Sequence, residues 1–346
     1  MNWGNKNTMI RQKLATAIVL VTAIIVGLLP AVPVSAATSS SGGGNGLKIS
    51  PVRSDLTISP GQSKTISVVV QNVTSSTANL QAIINDFVAG TDESGVPKIL
   101  LNPNQYAPTH SLKHYIAPIG DVSIPANQSK EVKVTINIPK DAAGGGYFGV
   151  VRFAPASAGK GNVSLAASVG SLILVTVPGD IKENMTIASF DARTITTDKN
   201  GQVHERSSTI FTSPKNINAV VRFNNQGNVQ EQPFGKVELK NRSGKVLATY
   251  EINNTTPRGN VLPSSIRKFA VPLTKVGSFG KYTLVGNFGF GSKGQLLTAK
   301  TSFYVIPLGL IIGLIVLVIL IVLAIIYLPR FVRGYNRRVL RRAGRR

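Results

Sequence analysis

Apolar and polar residues alternate with a period of two along much of the chain before residue 140. The alternation is clear in three segments, Ile66 to Val70, Leu80 to Ile84 and Val132 to Ile138. It places apolar side chains on one face of a strand and polar side chains on the other, which is typical of half-buried antiparallel strands. Glycine and proline separate the runs. We therefore predict one antiparallel β-sandwich over residues 47–178.

A second set of alternating runs follows the turn Val177-Pro178-Gly179-Asp180. It includes Ala219 to Phe223, Tyr282 to Phe290 and a last strand over Leu297 to Val305. About seven strands in 100 to 130 residues is the size of an immunoglobulin-like domain. We predict a second sandwich of this type over residues 179–304, so that the fold class is an all-β ectodomain of two tandem immunoglobulin-like sandwiches.

A weak internal repeat accompanies the strands. Gln62-Ser63-Lys64 and Gln128-Ser129-Lys130 each precede an alternating run, and Val261 to Val271 is a third, weaker copy. A solenoid requires a fixed period, which is absent here. We interpret the repeat as similar turns that lead into similar strands.

Two long apolar runs lie outside this pattern, and the first is near the N-terminus. Leu14 to Leu29 follows Lys6, Arg11 and Lys13 and precedes the small residues Val34 to Ala37. This order predicts a secretory signal peptide over residues 1–36, with an uncleaved signal anchor as the alternative. Residues 37–46, rich in serine and glycine, are predicted to form a flexible linker.

The second apolar run, Leu308 to Leu328, is uncharged and long enough to span a bilayer. It predicts a transmembrane helix over residues 305–328, a single-pass cell-membrane protein with its body outside, and a cytoplasmic tail over residues 329–346. The tail is either a stop-transfer signal or a helix that lies on anionic lipid. Six residues are predicted at the membrane interface: Tyr304, Tyr327, Arg330, Arg333, Arg337 and Arg338.

The positions of the charged residues along the chain change the interpretation of the total net charge. The chain carries 38 lysine and arginine residues against 15 aspartate and glutamate residues, a net charge of +23 that would ordinarily indicate nucleic acid. The n-region and the tail, however, contain 11 of the basic residues, and residues 179–307 alone have a net charge of +9. We therefore expect anionic lipid or anionic wall polymers as partners, and no nucleic acid. Without cysteine, the fold has no disulfides.

Candidate chemistry is sparse. Gly144 to Gly149 and Gly289 to Gly294 match GxGxxG, but neither opens a helix, so we expect turn or bulge glycines and no cofactor. Three Ser-x-x-Lys matches lack the companion motifs of penicillin-binding enzymes. His110 and His114 are interpreted as loop or surface residues, and Asp92-Glu93 as a turn, so no metal site is predicted. Seven Asn-x-Ser/Thr sequons are glycosylation sites only in a suitable host.

Several of these segments together resemble a known family. Leu47 to Asn72 (LKISPVRSDLTISPGQSKTISVVVQN), Asn79 to Phe87, Val132 to Pro139 and Gly144 to Phe153 resemble the N-terminal domain of WxL-interacting proteins. The resemblance implies Gram-positive surface proteins with a peptidoglycan-binding immunoglobulin-like domain, a second β-sandwich, one C-terminal span and a basic cytoplasmic tail. The opening strand and the Gln-Ser-Lys turn are also similar to the first domain of pilus-assembly chaperones.

Three functions remain open on this basis. The first is a non-enzymatic, membrane-anchored protein whose sandwiches bind cell-wall glycan or a partner surface protein, with Tyr106, Tyr115 and Tyr147 as a possible ligand surface. The second is an envelope assembly or secretion chaperone that acts by β-strand augmentation. The third is an envelope hydrolase or transpeptidase, for which the sequence offers no residue set.

Overall fold

The computed structural model describes residues 46–156 and 168–343, with side chains up to Pro329. The predicted signal peptide, nearly all of the predicted linker and the arginine side chains of the tail lie outside these residues. Before residue 178 the described chain forms nine strands and one 3-10 turn at Lys113–Tyr115. The strands are β1 (Leu47–Ser50), β2 (Arg53–Thr57), β3 (Ser63–Asn72), β4 (Ala78–Ala89), β5 (Pro97–Ile99), β6 (Val122–Ile124), β7 (Ser129–Asn137), β8 (Gly145–Pro155) and β9 (Val169–Val177).

These strands form the first sandwich. One sheet has the order β1-β3-β7, and the facing sheet has the order β2-β9-β8-β4-β5, with β6 also paired to β4. The two strands that follow the repeated Gln-Ser-Lys turns are direct neighbours, since Ser63 pairs with Asn137 and Gln71 with Ser129. In β7 the alternating residues Val132, Val134 and Ile136 are buried, as predicted.

Strand β8 departs from the alternating pattern. Ten consecutive residues, Gly145 to Ala154, are buried. Val151 and Phe153 belong to the main core between the two sheets, whereas Phe148 and Val150 form a second cluster on the other face of the strand, against which Leu262 packs. The continuous burial of β8 therefore reflects a strand that is covered on both faces.

The second sandwich is built from the nine remaining strands. Its sheets have the orders β11-β10-β13-β16 and β12-β18-β17-β14-β15. The strands are β10 (Met185–Thr197), β11 (Val203–Ser207), β12 (Ile210–Phe211), β13 (Ile217–Asn225), β14 (Phe234–Lys240), β15 (Val246–Ile252), β16 (Ser265–Pro272), β17 (Gly280–Phe290) and β18 (Gln295–Val305). Phe223 lies in its core, with its ring centroid 5.1 Å from that of Phe288 in an edge-to-face arrangement.

One long helix, α1 (Leu308–Ala343), follows β18. Its first 22 residues, Leu308–Pro329, are long and apolar enough to cross a membrane. The helix continues past Pro329 to Ala343, so that it includes most of the predicted tail as well as the predicted span. Tyr304 lies in β18, four residues before the helix, and Tyr327 lies within it.

The predicted fold class, an all-β body of immunoglobulin-like sandwiches with one apolar helix, is confirmed. Within the described residues, each of the four sheets takes its strands from one side of the predicted boundary after Pro178. The domain limits themselves remain predictions.

Buried asparagines close the ends of strands in both sandwiches. Asn72, at the end of β3, is fully buried, and its amide donates to the carbonyls of Ser76, Ile124 and Pro125 at 2.7, 3.1 and 3.2 Å. Asn225, at the end of β13, likewise donates to Val229 and Val261. Asn72 is one of the seven sequon asparagines, and because its nitrogen is enclosed by carbonyls, the folded chain does not offer it for glycosylation.

Candidate functional site

A hairpin of the first sandwich docks onto a sheet of the second. The turn between β4 and β5 carries Glu93, whose carboxylate forms a bidentate ion pair with Arg222 of β13, with Nε 2.6 Å from Oε2. The backbone carbonyl of Glu93 also accepts a hydrogen bond from the amide of Lys268 in β16. The hydrogen bonds from Arg222 lower the pKa of Glu93 below its usual value. Asp92-Glu93, which the sequence predicted to form a turn, thus supplies a contact between the two sandwiches through Glu93.

We expect the Glu93 contact to be measurable by a double-mutant cycle. Glu93→Gln and Arg222→Gln should each lower the free energy of unfolding by about 1–2 kcal/mol, with a coupling energy of about 1 kcal/mol, because the pair is bidentate but partly exposed. Thermal unfolding of the four chains in detergent gives the coupling. Additive single effects would show that the pair contributes nothing.

The glycine run at the start of β8 serves a second contact between the sandwiches. The amide of Gly146 donates to the carbonyl of Asn228 at 2.8 Å, and the side chain of Asn228 donates to the carbonyl of Gly144 at 3.1 Å. A Cβ atom at Gly145 would lie 2.9 Å from the Asn228 carbonyl oxygen. This GxGxxG match is therefore a strand whose glycines allow close approach of another backbone.

A cleft of about 930 Å³ lies beside this contact. Asp55 and Thr176 line it from the first sandwich, and Glu183, Glu231 and Phe234 are among the residues that line it from the second. Thr176 also accepts a hydrogen bond from Gln230. The cleft is thus formed by both sandwiches, and its walls carry three carboxylates.

Among the carboxyl groups that line the cleft, Glu231 has a strongly raised pKa. Its side chain accepts a hydrogen bond from the amide of Gly291, while its Oε1 atom is buried and has no hydrogen-bond partner among the described residues. Burial and the nearby carboxylate of Glu183 raise the pKa of Glu231 to about 7. Such a pKa is common in general acids, so the accessibility of the carboxyl group decides what it can do.

The carboxylates of Glu231 and Glu183 both accept hydrogen bonds from the turn between β17 and β18. Glu231 is only 4% exposed, so little of its side chain is open to the cleft that it lines. Glu183 accepts hydrogen bonds from the amide and the hydroxyl of Ser292, at 2.9 and 3.0 Å. Both groups therefore hold the turn between β17 and β18.

The exposed aromatic group of the first sandwich lies in the loop between β5 and β6. Tyr106 is 43% exposed, and its ring stacks on the imidazole of His114 with centroids 4.1 Å apart and planes 3° from parallel. The ammonium group of Lys113 lies 4.6 Å from the centroid of the same ring. We call Tyr106, Lys113 and His114 the Tyr106 cluster.

Asp86 holds this cluster in place from below. It lies in β4 and is fully buried, and its two carboxylate oxygens accept hydrogen bonds from the amides of Ala107 and Lys113, both at 2.9 Å. The neighbouring Asn85 donates to the carbonyl of Leu100 at 2.8 Å. The loop is therefore attached to the sheet at three points, which preorganises the residues it exposes.

The remaining aromatic candidates lie deeper. Tyr115 is half-buried, with its ring centroid 5.5 Å from that of Tyr147. Tyr147 is 4% exposed, belongs to the main core and donates to the carbonyl of Ala143. The expectation that Tyr147 lies on an exposed surface is therefore corrected, because β8 is covered on both faces. Only Tyr106 of the three is exposed.

The structure also places His110 and the second GxGxxG match, and it describes the surroundings of each. His110 packs against Tyr147, with 5.1 Å between ring centroids, and burial lowers its pKa. In the described part of the chain, no group of three or more histidine, aspartate or glutamate residues is placed to hold a metal ion. The second GxGxxG match lies at the turn between β17 and β18.

Sequence reasoning missed Asp86 and Glu231. The signal for Asp86 was present, because Asn85-Asp86 interrupts an otherwise apolar stretch of β4, and buried polar residues in a strand require partners. Glu231 follows a glycine and asparagine-rich turn and has no comparable local signal. Its burial depends on segments more than 25 residues away in the chain.

Comparison with models of known protein families gives a match within the first sandwich. Residues 54–154 match the model of the WxL Interacting Protein, peptidoglycan binding domain. No curated protein matches the chain.

The solved structures that match this chain include fimbrial chaperones. The class 5 fimbriae chaperone CfaA is 14% identical to this chain. The match covers 76% of this chain and 100% of the chaperone, with a TM-score of 0.36. The CupB2 chaperone of Pseudomonas aeruginosa is 10% identical to this chain. The match covers 73% of this chain and 98% of the chaperone, with a TM-score of 0.31.

The matched residues begin in β2 and end in β8, and they include Asp86 and the whole Tyr106 cluster. Residues 54–154 therefore match the model of the family that the sequence resemblance predicted.

Proposed function

We propose that this protein is a non-enzymatic, membrane-anchored surface protein that binds cell-wall peptidoglycan through its first sandwich. The observation that carries the proposal is the family match over residues 54–154, which is to a peptidoglycan-binding domain. The apolar helix α1 fits a single-pass anchor. In this arrangement the helix tethers the body to the membrane, with the sandwiches outside and the arginine-rich tail inside.

The Tyr106 cluster is the part of the first sandwich best suited to contact glycan. It combines an exposed aromatic ring with a neighbouring cation and a histidine, and it lies within the matched residues. Aromatic rings contribute apolar contact area with a polar edge, and a ring held in place loses little entropy on binding. The hydrogen bonds to Asp86 provide this preorganisation.

A sedimentation assay on purified cell-wall sacculi tests the proposal. The full chain in detergent should be retained, and Tyr106→Ala should weaken retention by about tenfold, which corresponds to about 1.4 kcal/mol of binding free energy. Phe234→Ala is the matched control, because Phe234 is 42% exposed and also has a cation, that of Arg258, over its ring. No retention of the unsubstituted chain at low salt would refute wall binding. Equal losses in both variants would remove the Tyr106 cluster as the contact.

Two alternatives remain predictions. A chaperone that acts by β-strand augmentation would bring an exported client with it when purified from membranes, whereas a wall-binding protein would not. A hydrolase or transpeptidase would be labelled by an activity-based serine probe. Binding to a partner surface protein is compatible with wall binding.

A further inference from the structure

The edge of the second sandwich next to α1 contains an open cleft of about 1120 Å³. Three segments meet there: the turn between β14 and β15, the loop before β17, and the end of β18. Strand pairing sets this edge beside the helix, because Gly280 pairs with Val305 and Lys281 with Tyr304. The cleft ends at Ile306, two residues before the first residue of the helix.

The distance from this edge to the membrane is short. Two residues span at most about 7 Å, and the headgroup layer on each side of a bilayer is about 5–8 Å thick. When Leu308–Pro329 crosses the hydrocarbon core, the wall of the cleft formed by β18 therefore lies at the level of the lipid headgroups.

The exposed side chains at this edge are those of a membrane-contacting surface. Phe279 is 64% exposed, Ile210 is 53% exposed, and Tyr304, which pairs with Ile210, is 43% exposed. Large apolar side chains in a group on a protein surface mark an interaction site, and aromatic rings are favoured at the level of the headgroups.

The charge of the cleft is entirely positive. Arg242 and Lys281 line it, both are exposed, and neither forms an ion pair within the described residues. None of its lining residues is acidic. A phosphate-bearing headgroup would therefore meet two cations that have no carboxylate partner, of which Lys281 lies 5.9 Å from the centroid of the Tyr304 ring.

We infer that this edge is a lipid-binding site, in which Phe279, Ile210 and Tyr304 enter the headgroup layer while Arg242 and Lys281 bind the phosphate of an anionic phospholipid. The site keeps the second sandwich against the membrane surface. It depends on α1 crossing a membrane and does not depend on wall binding.

A quenching experiment on the full chain tests the inference. The chain has no cysteine, so a single fluorophore can be placed by Ser243→Cys in the cleft, or by Lys293→Cys in the turn at the opposite end of the same sheet. Each labelled chain is reconstituted into nanodiscs of phosphatidylcholine, alone or mixed with phosphatidylglycerol, together with a lipid that carries a nitroxide on its headgroup. We expect strong quenching at position 243, further increased by phosphatidylglycerol, and little quenching at position 293.

Substitutions then separate the contribution of the positive charge of Lys281 from that of the insertion of Phe279 into the headgroup layer. In the Ser243→Cys chain, Lys281→Glu should remove the increase due to phosphatidylglycerol and lower quenching by about twofold or more, whereas Lys293→Glu, with the same change in charge, should leave it unchanged. Phe279→Ser should lower quenching in both lipid mixtures. Equal quenching at positions 243 and 293, or equal effects of Lys281→Glu and Lys293→Glu, would overturn the inference. Retention of the Lys281→Glu chain on sacculi reports separately on the proposed function.

Discussion

Asn72→Asp is expected to destabilise the first sandwich by about 3–5 kcal/mol at neutral pH, because it replaces a buried hydrogen-bond donor by a buried acceptor. The amide nitrogen of Asn72 donates to three carbonyls, and its oxygen accepts from the amide and the hydroxyl of Thr74 at 3.0 and 2.6 Å. An aspartate keeps the two acceptor contacts but directs an oxygen at the three carbonyls. The loops after β3 and β6 thereby lose their common anchor.

Thermal unfolding of the full chain in detergent, followed by far-ultraviolet circular dichroism, measures this effect. A loss of this size corresponds to a decrease in Tm of roughly 6–20 °C for a sandwich of this length. Asn127→Asp is the matched control, because Asn127 is also a sequon asparagine but is exposed, and it should change the Tm by no more than about 1–2 °C. Equal Tm values for the two variants would contradict the role of Asn72.

Glu231→Gln is expected to stabilise the protein at pH 8 and to have little effect at pH 5. The folded state raises the pKa of Glu231 from the usual 4.5 to about 7, so that the folded chain binds this proton more tightly than the unfolded chain does. Stability therefore falls as the pH rises from about 4.5 to about 7, and above that window the ionised carboxylate costs roughly 3 kcal/mol. Glutamine has a similar shape and does not ionise.

The same unfolding assay at several pH values tests the sign. The Tm of Glu231→Gln relative to the unsubstituted chain should rise with pH, by roughly 6–12 °C between pH 5 and pH 8. Glu251→Gln, which changes a glutamate with a side chain 53% exposed in the same sandwich, should show no such trend. A Tm difference for Glu231→Gln that is constant with pH would mean that folding does not raise the pKa of this carboxyl group.

Much of the fold was predictable because burial on one face leaves a local trace. The alternation in β3 and β7 reports which of their side chains are buried in the core, such as Val68 and Val70 in β3 and Val132 and Val134 in β7. The interruption of β4 by Asn85 and Asp86 was a usable signal of the same kind for the loop that presents Tyr106. The position of Tyr147 was not predictable in this way, because a strand covered on both faces has no alternation to read.

The sequence alone therefore determined the β character of the body, the apolar helix and the concentration of positive charge near that helix, since each depends on residues close together in the chain. Only the tertiary structure decided that Glu93 meets Arg222, that Glu231 is buried beside Glu183, and that Phe279 and Tyr304 share one cleft. These contacts join residues far apart in the chain. They depend on how the strands pair and how the two sandwiches dock, and the pattern of hydrophobic residues leaves both open.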